Sequence, residues 1–172
     1  MKDFDMPQIH YSKTNNGCSV RHGENIRSLA NVNPMAAFFT DFGSVLKHQK
    51  SPLKRFNLKI IAGTNEETAE MFLINLMKIL SAHPLRVKQI DIALPKQTRF
   101  CEILQLFDAN TVERIDLTNE KYTYENLTLN TIVQLDQWKK ARHLAVWYFT
   151  IQDDFNCFFH FSTVNINIQY RP

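Results

Sequence analysis

Val87-Lys88-Gln89-Ile90-Asp91-Ile92 and Val112-Glu113-Arg114-Ile115-Asp116-Leu117 are nearly superposable and lie 25 residues apart. Both end in strict polar-apolar alternation, Gln89-Ile90-Asp91-Ile92 and Arg114-Ile115-Asp116-Leu117. Period-two alternation puts one set of side chains against a core and the other toward water, as in a half-buried strand. Arg142-His143-Leu144-Ala145-Val146 follows about 29 residues further on with a related pattern. Between the first two runs, Phe100, Ile103, Leu104 and Phe107 fall at i, i+3, i+4 and i+7, the spacing of one helix face. Strand and helix therefore alternate as a repeat. Strands joined through helices lie parallel, because a parallel pair needs a long crossover.

The same rhythm extends in both directions. Phe56, Leu58, Ile60 and Ile61 make an earlier strand-like run, broken at Gly63. Thr64 with Glu67 has capping-box spacing and predicts a helix from about 65 to 82, striped by Ala69, Phe72, Leu76, Ile79 and Leu80 and closed by Pro84. A polar loop is expected around 118–126, then a helix lined by Ile132, Leu135 and Trp138. A fourth strand follows at Leu144, Val146 and Phe149, and an aromatic stretch from Phe155 leads to Val164, Ile166 and Ile168. Two α/β architectures satisfy this pattern. One is a leucine-rich-repeat-like solenoid, each unit packed on its neighbours. The other is an open sheet with helices on both faces. Polar residues on alternate strand positions favour the solenoid, since a doubly covered sheet wants apolar residues on both faces.

Residues 1–33 are polar and weakly patterned, and read as a flexible or loosely packed arm. Residues 34–172 read as the α/β repeat domain. It opens with a short helix carrying Met35, Phe38, Phe39, Phe42, Val45 and Leu46.

Composition bounds the function. The 172 residues are 44% hydrophobic and 22% charged, enough apolar material for one folded domain. Lys plus Arg is 20 against 17 Asp plus Glu, with no long basic run, so nucleic acid is an unlikely partner on charge alone. No apolar stretch is long enough for a membrane span. Three cysteines at wide spacing do not read as a disulfide framework, and the location expected is intracellular.

No constellation of reactive residues stands out. Cys18-x-x-x-His22 with Cys157-x-x-His160 contains zinc-type ligands, but the two pairs sit in the arm and in an apolar stretch. Cys101 falls among core positions of a helix, where thiols are inert. Asp153-Asp154 with Glu125 or Asp136 share no common face, and there is neither a phosphate loop nor a nucleophile elbow. No catalytic, cofactor or metal site is expected. The candidate interaction residues are Trp138, Trp147, Tyr148, Gln89, Asp91 and Asp116. Trp138 reads first as a core residue and second as an interface anchor. Trp147 and Tyr148 follow Val146 and one of them must face opposite to it, so an exposed ring beside the polar positions Gln89, Asp91 and Asp116 is expected, a surface suited to protein recognition.

Thr131-Ile132-Val133-Gln134-Leu135-Asp136-Gln137-Trp138-Lys139-Lys140-Ala141-Arg142, followed by His143-Leu144-Ala145-Val146, resembles the core of the nematode F-box-associated FTH domain. Lys50-Ser51-Pro52-Leu53-Lys54, Ile115-Asp116-Leu117 and Phe159-His160-Phe161-Ser162 support the resemblance, which runs over residues 35–170. It implies a non-enzymatic, cytoplasmic or nuclear protein that holds a target for ubiquitin ligase scaffold subunits. Residues 1–33 lack a Leu-Pro-rich F-box pattern, and the sequence stops at Tyr170-Arg171-Pro172, short of the family's usual further helix and strand. The expectation is thus a partial member with an unknown protein target. Three other readings stay open: a small enzyme with its site around Gly63, Pro95, Asn119 and Thr150, a nucleic-acid binder, and a non-functional partial copy.

Overall fold

A computed structural model describes residues 9–151 and 155–166 of the chain. The expectations placed on Asp153, Asp154 and Ile168 lie outside the described residues. The chain divides into two compact units, Met1–His48 and Gln49–Pro172.

In the first unit β1 (Ile9–Thr14), β2 (Gly17–His22) and β3 (Asn25–Ala30) form an antiparallel meander, followed by α1 (Pro34–Lys47). The stretch read as a loose arm therefore carries three strands, and α1 belongs with them rather than with the repeat domain. The overlooked signal was Asn16-Gly17, a hairpin dipeptide. Gly17 has φ +145°, and a Cβ there would sit 2.1 Å from the Leu29 carbonyl oxygen, so no side chain fits. Asn33 caps α1 by accepting from the Met35 amide at 2.8 Å. Tyr11 packs edge-on against Phe38, and its hydroxyl donates to Asp41 at 2.9 Å.

The second unit is built on a five-stranded parallel sheet in the order β10-β8-β6-β5-β4. The members are β4 (Leu53–Lys59), β5 (Val87–Leu94), β6 (Arg114–Asn119), β8 (His143–Trp147) and β10 (Thr163–Ile166). A separate parallel ladder joins β7 (Glu125–Leu127) to β9 (Phe149–Ile151), within and just after stretches read as loop and strand. The 25-residue repeat becomes register directly: Ile90, Asp91 and Ile92 lie beside Ile115, Asp116 and Leu117. Ile115 and Leu117 then lie beside Leu144 and Val146. β4 is offset by two residues from the spacing read in sequence, with Leu58 rather than Ile60 beside Ile92. An even shift keeps each side chain on its face.

The helices are α2 (Glu66–Ala82), α3 (Phe100–Leu104) and α4 (Asp136–Lys140). Asn65, not Thr64, caps α2, accepting from the Thr68 amide at 3.0 Å, while the Thr64 hydroxyl donates to the Ile61 carbonyl. The helix expected through Ile132 and Trp138 is split. Leu135 is extended between a 3-10 turn at Ile132–Gln134 and the short α4. Ile90, Ile92, Ile115, Leu117, Leu144 and Val146 are buried, as are Leu76 and Leu80 of α2 and Phe100, Ile103 and Leu104 of α3. The coarse expectation, an α/β chain whose parallel strands are joined through helical segments, describes this sheet. Among the described residues β4 and β10 lie at the ends of the sheet.

Candidate protein-interaction face

Alternation puts the other half of each strand on the opposite side of the sheet, and the register arranges these residues in rows. Arg55, Gln89, Arg114, His143 and Thr163 are neighbours across the strands. The next row is Asn57, Asp91, Asp116, Ala145 and Asn165, and the third is Lys59, Ala93, Thr118 and Trp147. Three of the candidate residues, Gln89, Asp91 and Asp116, thus meet on one face, and Trp147 lines a groove of about 250 Å³ with Asp91 and Asp116.

The polar groups form a connected ladder. Arg55 grips Asp91 with two nearly parallel bonds, Nε to Oδ2 at 2.6 Å and an Nη to Oδ1 at 2.9 Å. Gln89 Nε2 donates to Asp91 Oδ1 at 3.2 Å and to Asp116 Oδ2 at 3.1 Å, tying the two carboxylates together. Arg114 Nε donates to both Asp116 oxygens, at 2.8 and 3.1 Å. All four carboxylate oxygens are therefore engaged, which suits a fixed charge network better than an acid-base pair awaiting substrate. Burial pushes Asp91 up, but Arg55, Asp116 and Gln89 together outweigh it and its carboxyl rests below the usual range. Burial, with the neighbouring Asp91, pushes Asp116 up.

Tyr148 directly follows β8, between Trp147 and β9. Its φ is +60° and that of Tyr122 is +56°, left-handed conformations that cost a bulky residue free energy. The two rings meet edge-on with centroids 5.1 Å apart, and Tyr124 lies 5.9 Å from Tyr148. Lys59 Nζ bonds Glu120 Oε1 at 2.9 Å and donates to the Tyr122 hydroxyl at 3.1 Å. These partners hold Lys59 above its ordinary value, the hydroxyl first. Lys59 and the Ala62 amide together hold Glu120 below its own.

Trp138 is not part of this surface. Its side chain is buried, with Phe161 edge-on at 5.1 Å and its indole N–H donating to the Cys157 carbonyl at 3.3 Å. His160 donates to the Trp138 carbonyl at 2.9 Å. Among the described residues no group of three His, Cys, Asp or Glu is placed to hold a metal ion, and no helix is long and apolar enough to cross a membrane. The strand ends near Gly63 and Pro95, where an enzyme reading would put its chemistry, line a cleft of about 210 Å³. Its charges answer one another: Lys96 pairs with Glu66, and Arg99 with Glu70 and Glu102.

Arg55, Lys59 and Arg114 were missed by the sequence reading. The alternation Arg55-Phe56-Asn57-Leu58-Lys59 contains the signal for the first two, and Arg114 holds the place in its strand that Gln89 holds in β5. Nothing local marks Tyr122 and Tyr124, whose positions depend on a turn braced by Asn119, with Nδ2 donating to the Thr123 carbonyl at 2.6 Å.

The FTH domain model matches residues 66–172, from the first turn of α2 onward. The chain belongs to the FTH domain family. The match begins later than residue 35, where the resemblance was read, so Arg55 and Lys59 fall outside it while Gln89, Asp91, Asp116 and Trp147 fall inside. The chain is also 26% identical over 175 residues to F-box A protein 224 of Caenorhabditis elegans. The alignment covers 96% of this chain and 44% of that relative, so the chain spans less than half the relative's length. No solved structure matches the chain.

Proposed function

We propose that this FTH domain is a non-enzymatic protein-interaction module and that the polar face of its parallel sheet receives the partner. The ladder Arg55–Asp91–Gln89–Asp116–Arg114 carries the reading. It holds charged groups rigidly on a sheet face beside Trp147, where burial at an interface costs little additional side-chain entropy. The name of the relative supports an F-box-associated role, in which the module holds a target for a ubiquitin ligase. The sequential strand order β4-β5-β6-β8-β10 and a sheet face left polar support the finer reading of a solenoid-like array, whose strand side is its binding side.

Affinity capture of tagged full-length chain from a nematode lysate tests this. The wild type is run beside Trp147→Ala and Arg114→Ala, with circular dichroism verifying the fold of each. The expected result is a reproducible partner that both substitutions release. A partner retained by both folded variants would move the interface elsewhere. Scaffold subunits of a ubiquitin ligase in the same capture would support the adaptor role.

A further inference from the structure

Resting on that reading of the face, we infer that the segment it receives is an acidic stretch of polypeptide. The argument comes from how charge is layered on the sheet. The side chains of Arg55, Lys59 and Arg114 are 53%, 46% and 40% exposed. The carboxylates beneath them are far more covered, Asp91 and Asp116 at 12% and Glu120 at 4%. An approaching molecule therefore meets cations first, and the anions act from below to orient them. Arg114 gives only Nε to Asp116, so its two terminal amino groups have no partner among the described residues. Arg55 keeps one terminal amino group in the same condition. A planar guanidinium already fixed through Nε offers its remaining N–H groups in a fork that fits a carboxylate. Arg55 and Arg114 share a row two strands apart, which sets them about 10 Å from each other. Trp147 and the Tyr122–Tyr148 pair border the cations and offer apolar contact to the rest of the segment.

Three cations and three carboxylates share this face, so its preference comes from the cations being the more exposed. Lys59 is held by Glu120 and Tyr122, and His143 lies beside Arg114 in the first row. A nucleic acid fits less well. Its unbroken phosphate run needs cations along its whole path, whereas here Gln89 separates Arg55 from Arg114 and the next row carries Asp91 and Asp116.

Selection from a displayed library of random short peptides against the full chain tests the inference. The expected result is enrichment of sequences rich in Asp and Glu with an aromatic residue. Their affinity should fall about tenfold in Arg114→Gln, the scale of a lost charge-assisted contact, and should weaken as salt rises. Arg114→Lys, which keeps the charge and loses the fork, should fall in between. Circular dichroism verifies each fold, and Arg55→Gln repeats the measurement if Arg114→Gln is unfolded. Enriched peptides that are not acidic yet depend on Trp147 would overturn the acidic segment and leave the interaction face standing. Acidic peptides indifferent to both arginines, or no enrichment at all, would overturn the inference. Uridine homopolymer RNA binding more tightly than any selected peptide, through the same arginines, would overturn both the inference and the protein-binding reading.

Discussion

The two faces of the five-stranded sheet are made by the same strands, residue by alternate residue, yet they are stabilised by different physics. On one face Ile90, Ile115 and Leu144 lie side by side and buried, as do Ile92, Leu117 and Val146. Their contribution is non-directional and scales with the apolar area removed from water. On the other face Arg55, Gln89, Asp91, Arg114 and Asp116 are held by directed bonds that offset the cost of partly burying two carboxylates. The comparison separates a surface that makes the fold from one that the fold merely positions. Substitutions on the first face should unfold the unit, and those on the second should mostly alter what it presents.

The largest effect should come from Ile115→Ala. Ile115 is fully buried between Ile90 and Leu144, and removing its branched chain leaves a cavity that neighbouring strands cannot easily close. A loss of about 2–5 kcal/mol in the urea unfolding free energy is expected. A smaller loss than that of any polar-face variant would break the distinction between the faces.

Arg55→Ala comes next. It strips Asp91 of two bonds and leaves a largely covered carboxylate with Gln89 alone. Because Arg55 is half exposed, the loss should be about 1–2 kcal/mol. Asp91→Asn/Arg55→Ala should recover part of it, since the uncompensated charge is gone. A double variant no more stable than Arg55→Ala would mean the arginine acts through packing instead.

Asp116→Asn reads the same ladder through pH. Asp116 has a raised folded value, so its contribution is full below the unfolded carboxyl value and is lost as pH rises through the folded one. Asp91 works the other way: its contribution is present above the unfolded value and lost as pH falls through the depressed folded one. Between the unfolded carboxyl value and the raised folded one the Asp116 contribution should therefore fall as pH rises, while the uncharged Asn removes that limb. Urea midpoints measured over a pH series should converge for the two proteins below the unfolded carboxyl value and favour the variant above the raised folded one. Parallel curves would show that Asp116 ionises as an ordinary exposed carboxyl.

The difference between the faces also explains what could be read from the sequence. Ile90-Asp91-Ile92 and Ile115-Asp116-Leu117 revealed the strands because burial on one side forces a period of two. The same alternation put Gln89, Asp91 and Asp116 together, since register carries the repeat directly into space. Bonds that depend on side-chain reach were not legible: nothing in the spacing says that Gln89 bridges the carboxylates. Trp138 was legible as a core residue, but the extended Leu135 that breaks its helix was not, because Ile132, Leu135 and Trp138 keep helical spacing across the break. In the first unit the apolar signal was too thin: Cys18 is the one fully buried residue of the meander, and pairing there rests on turns more than on a core.

The smallest effect should come from a pair that matches Arg55–Asp91 in kind but not in setting. Lys88 Nζ lies 2.9 Å from Glu113 Oε1 and, like Arg55 and Asp91, joins neighbouring chain segments of the sheet. Both side chains are more than half exposed, so solvent and salt screen the attraction and two long chains must be ordered to make it. The bond from Lys88 still lowers the Glu113 carboxyl, so the pair registers electrostatically even though little stability should depend on it. Lys88→Ala should leave the urea midpoint at the wild-type position, at low salt as at high, where Arg55→Ala moves it. The contrast would then rest on the covered carboxylate beneath Arg55, and not on the presence of an ion pair. A Lys88→Ala loss equal to that of Arg55→Ala would remove burial as the explanation and make the ladder an ordinary surface network.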